Sequence, residues 1–257
     1  MRLHRFFIKE DANGKIIRIT DSGLIKQWRD VLRLKGGAEI FVFNGNGMEA
    51  RAKIVNLSKD GAELEVVDVF KNENEPERKV ILYCSLLKHE NFELVVKKAT
   101  EVGMCEIVPI VARRTEKLNL RGDRLEKIIK EAAEQSGRAI VPRLREPVKF
   151  EEALEHAKQN DVNLFFDKSG QELCEKCHCE AGGRGNLAGS TRENEITTLP
   201  LVARDDVAGV FIGPEGGWTD EELKLAKEAG FKIISLGKLT LRAETAAIVA
   251  VYLTTNH

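Results

Sequence analysis

Long hydrophobic runs are missing from this chain. The longest, Ala246 to Leu253, is eight residues, far short of the roughly 20 that a membrane-spanning helix needs. The first ten residues, Met1 to Glu10, carry charges on both sides of a short apolar run, so no secretory leader is expected. A cytoplasmic protein with no membrane partner is expected. Cysteine is scarce and odd in number, five in 257 residues, which fits a reducing compartment and argues against a disulfide framework. Cys84 and Cys105 lie in apolar, strand-like runs. Cys174, Cys177 and Cys179 crowd around His178, but no second Cys/His pair follows at finger spacing, so no metal is expected. Charge of one sign is also lacking. The net charge of −1 excludes a globally basic nucleic-acid binder, although residues 1–35 hold nine Lys/Arg against four acids and residues 113–145 ten against five. A local excess of this kind can form a phosphate-binding face on a neutral protein. Nucleotide motifs are absent too. There is no Walker A sequence, and the segment after the apolar run Val80–Leu87 is Lys88-His89-Glu90-Asn91, where a dinucleotide-binding unit would carry glycines.

What is present falls into two regimes. From Ile16 to Phe70 the chain is made of short β-branched segments separated by turns, the pattern of a small β-barrel with one helix over about residues 22–32. Asn44-Gly45-Asn46-Gly47 marks a hairpin, because Asn and Gly tolerate positive φ, and Lys59-Asp60-Gly61 marks another. Lys71 to Lys79 has no apolar residue but a proline and reads as a linker. Strands then alternate with helices. Strands are expected at 80–87, 106–112, 161–167, 209–213 and 231–236. Amphipathic helices are expected through Phe92–Val102, Leu125–Ala133, Thr219–Gly230 and Glu244–Thr254. Residues 169–206 are rich in Gly, Glu and Asn, lack periodicity, and read as an insertion.

The most informative stretch is Phe211-Ile212-Gly213-Pro214-Glu215-Gly216-Gly217-Trp218-Thr219, an apolar strand running through a glycine loop into a helix. Thr219 and Glu222 have the spacing of a capping box. Leu236-Gly237-Lys238-Leu239-Thr240-Leu241-Arg242-Ala243-Glu244-Thr245 repeats the design some twenty residues later. Two strand ends that leave through glycine loops make a small-molecule pocket at the edge of a parallel sheet. Arg242 and Glu244 abut the second loop, where the helix dipole alone would not place an arginine.

Taken with His4-Arg5-Phe6-Phe7, Lys98-Ala99-Thr100-Glu101-Val102-Gly103, Arg114-Thr115-Glu116 and Glu131-Ala132-Ala133-Glu134-Gln135-Ser136-Gly137-Arg138, these loops resemble the bacterial 16S ribosomal RNA uridine-N3 methyltransferases of the trefoil-knot (SPOUT) superfamily. The strings stand in family order and span the chain except for residues 169–206. The resemblance implies an α/β protein: a PUA-like N-terminal β-barrel over 1–70, a linker at 71–79 and a knotted methyltransferase domain over 80–257. It implies S-adenosylmethionine held by Gly213, Glu215, Gly216, Leu236, Gly237, Thr240, Leu241 and Thr245, with Arg242 and Glu244 as catalytic groups. RNA contacts would fall to Arg2, Arg5, Arg114 and Arg138. The partners implied are 16S rRNA of the small ribosomal subunit and a second copy of the chain. Two departures stand out: Ala243 replaces the family's usual threonine, and the cysteine-bearing insertion is not a family feature. A knotted methyltransferase acting on a ribose 2′-hydroxyl or a tRNA base, and a non-catalytic RNA binder of the same fold, are the alternatives.

Overall fold

The structure, a computed structural model, describes residues 3–12, 14–115, 120–172 and 206–256. Arg2 and the cluster Cys174, Cys177, His178, Cys179 lie outside the described residues. The chain forms two compact units, one of residues up to Pro76 with Arg121–Arg143, the other of Glu77–Leu120 with Leu144 onward.

In the first unit, β1 (Arg5–Phe7), β2 (Ile16–Ile19), β3 (Glu39–Phe43), β4 (Met48–Leu57) and β5 (Ala62–Lys71) form one sheet in the order β1-β3-β4-β5-β2. The β1–β3 pair is parallel and the others antiparallel. Phe6 from one edge strand and Ile17 and Ile19 from the other share a single core with Ile40, Val42, Ala50, Ala52, Ile54 and Leu64. Both edges of a sheet can reach one core only if the sheet curls. The two hairpins fall where the turn residues place them: Gly45 and Gly47 take φ of 89° and 88°, and Ser58 N–H donates to Gly61 O at 2.9 Å. The helix expected over about residues 22–32 lies between β2 and β3, in two parts. An α-helical turn, α1 (Ser22–Lys26), capped by Asp21, continues as a π-helical turn over Gln27–Val31. Widening the turn brings Trp28 fully into the core, against Phe6 at 5.1 Å between ring centroids.

Two boundaries differ from the sequence reading. Residues 71–79 are not a free linker. Asn72 is buried and donates through Nδ2 to Glu49 Oε2 at 2.8 Å and to Gly137 O at 3.1 Å. Glu75 accepts from the Arg138 guanidinium at 3.0 and 3.1 Å and from the main-chain N–H groups of Ala139 and Ile140, both at 2.8 Å. The second difference is α3 (Gly122–Ser136), expected in the methyltransferase domain but packed in the first unit. Its residues Leu125, Ile129, Ala132 and Ala133 are buried, Glu134 Oε1 accepts from Phe7 N–H at 2.8 Å, and the helix ends at Gly137 with φ of 84°. An apolar helix face shows that a helix covers a core, not which core it covers.

The second unit comprises β6 (Lys79–Ser85), α2 (His89–Glu101), β7 (Glu106–Val111), the two-residue strands β8 (Arg143–Leu144) and β9 (Val148–Lys149), α4 (Phe150–Ala157), β10 (Val162–Glu172), β11 (Val207–Ile212), α5 (Asp220–Glu228), β12 (Lys232–Ser235) and α6 (Ala243–Asn256). The central strands run parallel in the order β12-β10-β11-β6-β7. Tyr83, Phe165 and Phe211 on one sheet face pack with α4 and α5 and with Trp218. The opposite face, carrying Leu82, Leu164 and Val210, is buried as well, as parallel sheets require. After β11 the chain passes to β12 on the far side of β10. It then returns to set α6 against β6, β11 and α2. That return brings the two glycine loops together. β10 also runs past its expected end. Phe166 and Gln171 both pair with Ile234, so residues 167–170 loop out, and a Cβ on Gly170 would sit 2.5 Å from Ile234 N.

Candidate active site

A cavity of about 730 Å³ opens at the carboxyl ends of β6, β10, β11 and β12. Its first wall is the loop after β11. Thr219 N–H donates to Glu222 Oε2 at 2.8 Å and Glu222 N–H to Thr219 Oγ1 at 3.3 Å, the reciprocal capping box that starts α5. Glu222 is buried and its Oε1 also accepts from Arg113 N–H at 2.9 Å, which ties the loop to the end of β7. Arg114 Nη1 donates to Gly216 O at 2.7 Å and to Trp218 O at 3.2 Å. Trp218 Nε1 donates to Phe166 O at 3.1 Å. A Cβ on Gly213 would lie 3.0 Å from the Trp218 ring, so this glycine is required by packing. A Cβ on Gly216 would meet Arg114 Cβ and Cδ only at 3.4 Å, so the fold leaves that position nearly free.

The second wall is the segment from Leu236 to Arg242. Gly237 takes φ of 107° and its carbonyl accepts from Ser235 Oγ at 3.2 Å. Among the described residues, the main-chain N–H groups of residues 238–241 donate to no protein acceptor. At the start of α6, Glu244 is 7% exposed, and its Oε2 has no hydrogen-bond partner among the described residues. Arg242 Nη1 stands 3.9 Å from Glu244 Oε1, with the arginine side chain 86% exposed at the rim. A buried, unpartnered carboxylate is costly unless a ligand supplies a donor.

The cavity brings together Gly213, Glu215, Gly216, Leu236, Gly237, Thr240, Leu241, Arg242 and Glu244. Thr245, expected with them, is exposed and does not line it, because the first turn of α6 points it outward. Lys88, Asn91, Asp167, Lys168 and Trp218 also line the cavity and were not singled out as site residues by the sequence. Lys88 and Asn91 follow the carboxyl end of β6, where parallel sheets place ligands, and that rule was the signal available for them; Asp167 and Lys168 lie where β10 loops out of its pairing. Cys84, at the end of β6, is fully buried, and burial pushes its thiol well above the usual range, so it offers no nucleophile.

The arginines expected to meet RNA are corrected at two positions. Arg138 is 4% exposed and its guanidinium is held by Glu75. Arg5 pairs with the buried Glu49 and donates to Arg138 O at 3.3 Å. Both are engaged in ion pairs and hydrogen bonds within the first unit. Arg114 has an assigned role in holding the first glycine loop.

These features suit a cofactor such as S-adenosylmethionine. The volume lies within the range of small-molecule sites, main-chain donors are available, and Glu244 Oε2 has no hydrogen-bond partner among the described residues. Known proteins agree. The family described as RNA methyltransferase domain matches residues 73–255, and that described as RNA methyltransferase PUA domain matches residues 29–67. The chain is similar to the ribosomal RNA small subunit methyltransferase E of Mesomycoplasma hyopneumoniae, 29% identical over 253 residues and 96% of each chain. A protein of Legionella pneumophila described as a methyltransferase and solved with its cofactor S-adenosylmethionine superposes with a TM-score of 0.78 at 25% identity, over 98% of this chain and 96% of that one. A ribosomal RNA small subunit methyltransferase E of Neisseria gonorrhoeae, solved with S-adenosylmethionine, gives 0.74 at 26% identity, over 97% and 95%. With an α/β trefoil-knot domain behind a PUA-like barrel and a family match over more than half its length, the chain belongs to the RNA methyltransferase domain family.

Proposed function

We propose that the protein transfers a methyl group from S-adenosylmethionine to N3 of one uridine in 16S rRNA of the small ribosomal subunit, acting in the cytoplasm as a homodimer. The observation that carries this reading is Glu244. Its carboxylate is nine-tenths buried in a cavity walled by two glycine loops; Arg242 meets Oε1 only at 3.9 Å, and Oε2, with no hydrogen-bond partner among the described residues, can accept from a donor. Uracil N3–H is such a donor, a weakly acidic imide that must lose its proton before nitrogen can attack a methyl carbon. N3 lies on the pairing edge, so the base must be unpaired or flipped outward to enter. The cofactor supplies the electrophilic methyl; the N3–CH3 bond forms as the C–S bond breaks, and sulfur keeps the electron pair. Glu244 accepts the imide proton. Arg242, donor-only and permanently charged, swings from the rim to face the anionic base. Gly213, Glu215, Gly216, Leu236, Gly237, Thr240 and Leu241 hold the cofactor, chiefly through main-chain groups.

The test is the nucleoside formed. Small-subunit RNA from a strain lacking the gene, methylated by the purified protein and digested, should yield one 3-methyluridine by mass spectrometry. A 2′-O-methylated nucleoside, or product only on tRNA, would transfer the assignment to another knotted methyltransferase class. Cofactor binding in calorimetry without any product would leave an RNA-binding protein.

A further inference from the structure

Deprotonating N3 places negative charge on the two carbonyl oxygens that flank it, and a base-binding site must answer both. Of the polar groups in the cavity, several are already engaged. Trp218 Nε1 donates to Phe166 O, and Ser235 Oγ to Gly237 O. Arg242 is largely in solvent. Lys88, Asn91 and Lys168 line the cavity with side chains that have no hydrogen-bond or ionic partner among the described residues, and of these Lys88 and Asn91 stand together at the start of α2. Lys88 is the N-cap of α2, with ψ of 142°, and Asn91 stands in the first turn of the helix. An ammonium only donates, so it takes no part in capping the helix N–H groups. Because α2 packs along α6, the first turn of α2 and the Glu244 carboxylate open on the same space. The positive end of the α2 dipole adds to the field there.

We propose that Lys88 and Asn91 form the uracil subsite, donating to the two carbonyl oxygens beside N3 while Glu244 receives the N3 proton. The proposal rests on the functional reading above and assigns the base-recognition residues within it. An ammonium can only donate, and the carboxamide NH2 of Asn91 donates as well. Uracil presents acceptors on both sides of N3, whereas cytosine presents an amino group on one side and an unprotonated N3. The pair would therefore select uracil as well as stabilise its anion.

The experiment uses the full-length protein and unmethylated small-subunit RNA, with single-turnover rates measured against pH. Lys88→Met should lower the rate at neutral pH by about a hundredfold, the scale of one lost electrostatic donor. S-adenosylmethionine affinity and melting temperature should stay near wild type, since the Lys88 side chain caps nothing. The deficit should shrink as pH rises, because hydroxide ionises the imide without help, and Lys88→Arg should recover most of the rate. Asn91→Asp, of equal size, should be slower than Asn91→Ala, because it sets a carboxylate against the anion. A Lys88→Met protein with wild-type rates would overturn the subsite, as would a loss independent of pH and accompanied by a lower melting temperature or weaker cofactor binding. Absence of 3-methyluridine from the wild-type protein would overturn the functional reading and the subsite together.

Discussion

Two glycines in the first loop look alike in sequence and are held by different forces. Gly213 faces the Trp218 ring at 3.0 Å from where a Cβ would be, so tight that the buried ring would have to shift by a few tenths of an ångström. Gly213→Ala should therefore displace Trp218 and lower the melting temperature, with cofactor binding lost as a consequence. Gly216 has no such barrier in the protein, so Gly216→Ala should leave the melting temperature within a degree or two while weakening S-adenosylmethionine binding in calorimetry. Equal loss of folding and binding in both variants would contradict that division. Arg242 and Glu244 divide along another line. On the proposed reading the cofactor is held by main-chain groups, so Arg242→Ala and Glu244→Gln should each reduce turnover by about two to four orders of magnitude with little change in cofactor affinity. Higher pH should rescue Glu244→Gln in part and Arg242→Ala less, because only the latter lacks the charge that meets the anion. Normal turnover by Glu244→Gln at neutral pH would remove Glu244 as the base. A third residue carries a pH signature. Burial raises the Glu134 carboxyl above the usual range, against the opposing hydrogen bond from Phe7 and the charge of Arg5. The folded state thus holds this proton more tightly than the unfolded chain does. Its contribution to stability is greatest below the unfolded value and falls as pH rises through the folded one. Glu134→Gln keeps an oxygen for Phe7 N–H and removes that fall. Its melting temperature relative to wild type should improve as pH rises above the ordinary glutamate value, about 4.3.

At the scale of elements, the polar segment after β5 has the largest effect for its size. One carboxylate, Glu75, satisfies the Arg138 guanidinium and two main-chain N–H groups. Removing it leaves a 4% exposed guanidinium without its carboxylate, and breaking a buried pair in this way costs about 3–5 kcal/mol. Glu75→Ala should therefore unfold at clearly lower denaturant than wild type, while Glu77→Ala, which spares the Arg138 pair, serves as its comparison. None of this was legible in a sequence whose composition between Lys71 and Lys79 spells a linker, because the partners lie more than sixty positions away. The hairpins were legible, since Gly45, Gly47 and Gly61 declare positive φ or tight turns locally. So was the capping box of Thr219 and Glu222, which spans three residues. The π-helical turn was not, because a 3.6-residue period cannot register the extra residue that seats Trp28.

At the scale of the whole molecule, the chain leaves the barrel, builds two strands of the parallel sheet, returns to the first unit as α3, and ends in the second. The glycine loops could be read because their chemistry is local; the path that brings them to one cavity could be named only through resemblance, since no periodicity encodes a strand order of β12-β10-β11-β6-β7. The last helix carries apolar residues on more than one side. Ala247, Ala250 and Val251 of α6 are buried, while Ile248, Val249 and Leu253 are half-buried and Tyr252 is 49% exposed. A helix apolar on every side is covered on more than one side, and Leu239, 81% exposed in the second glycine loop, adds apolar surface beside the cavity. A second copy of the chain laid against α6 would cover Tyr252 and Leu253 and close the loop that holds the cofactor. Tyr252→Glu should then shift sedimentation from dimer to monomer at micromolar concentration and weaken S-adenosylmethionine binding, although Tyr252 itself does not line the cavity. A wild-type protein that sediments as a monomer under those conditions with full methyl transfer would show that α6 needs no partner and that one chain makes the complete site.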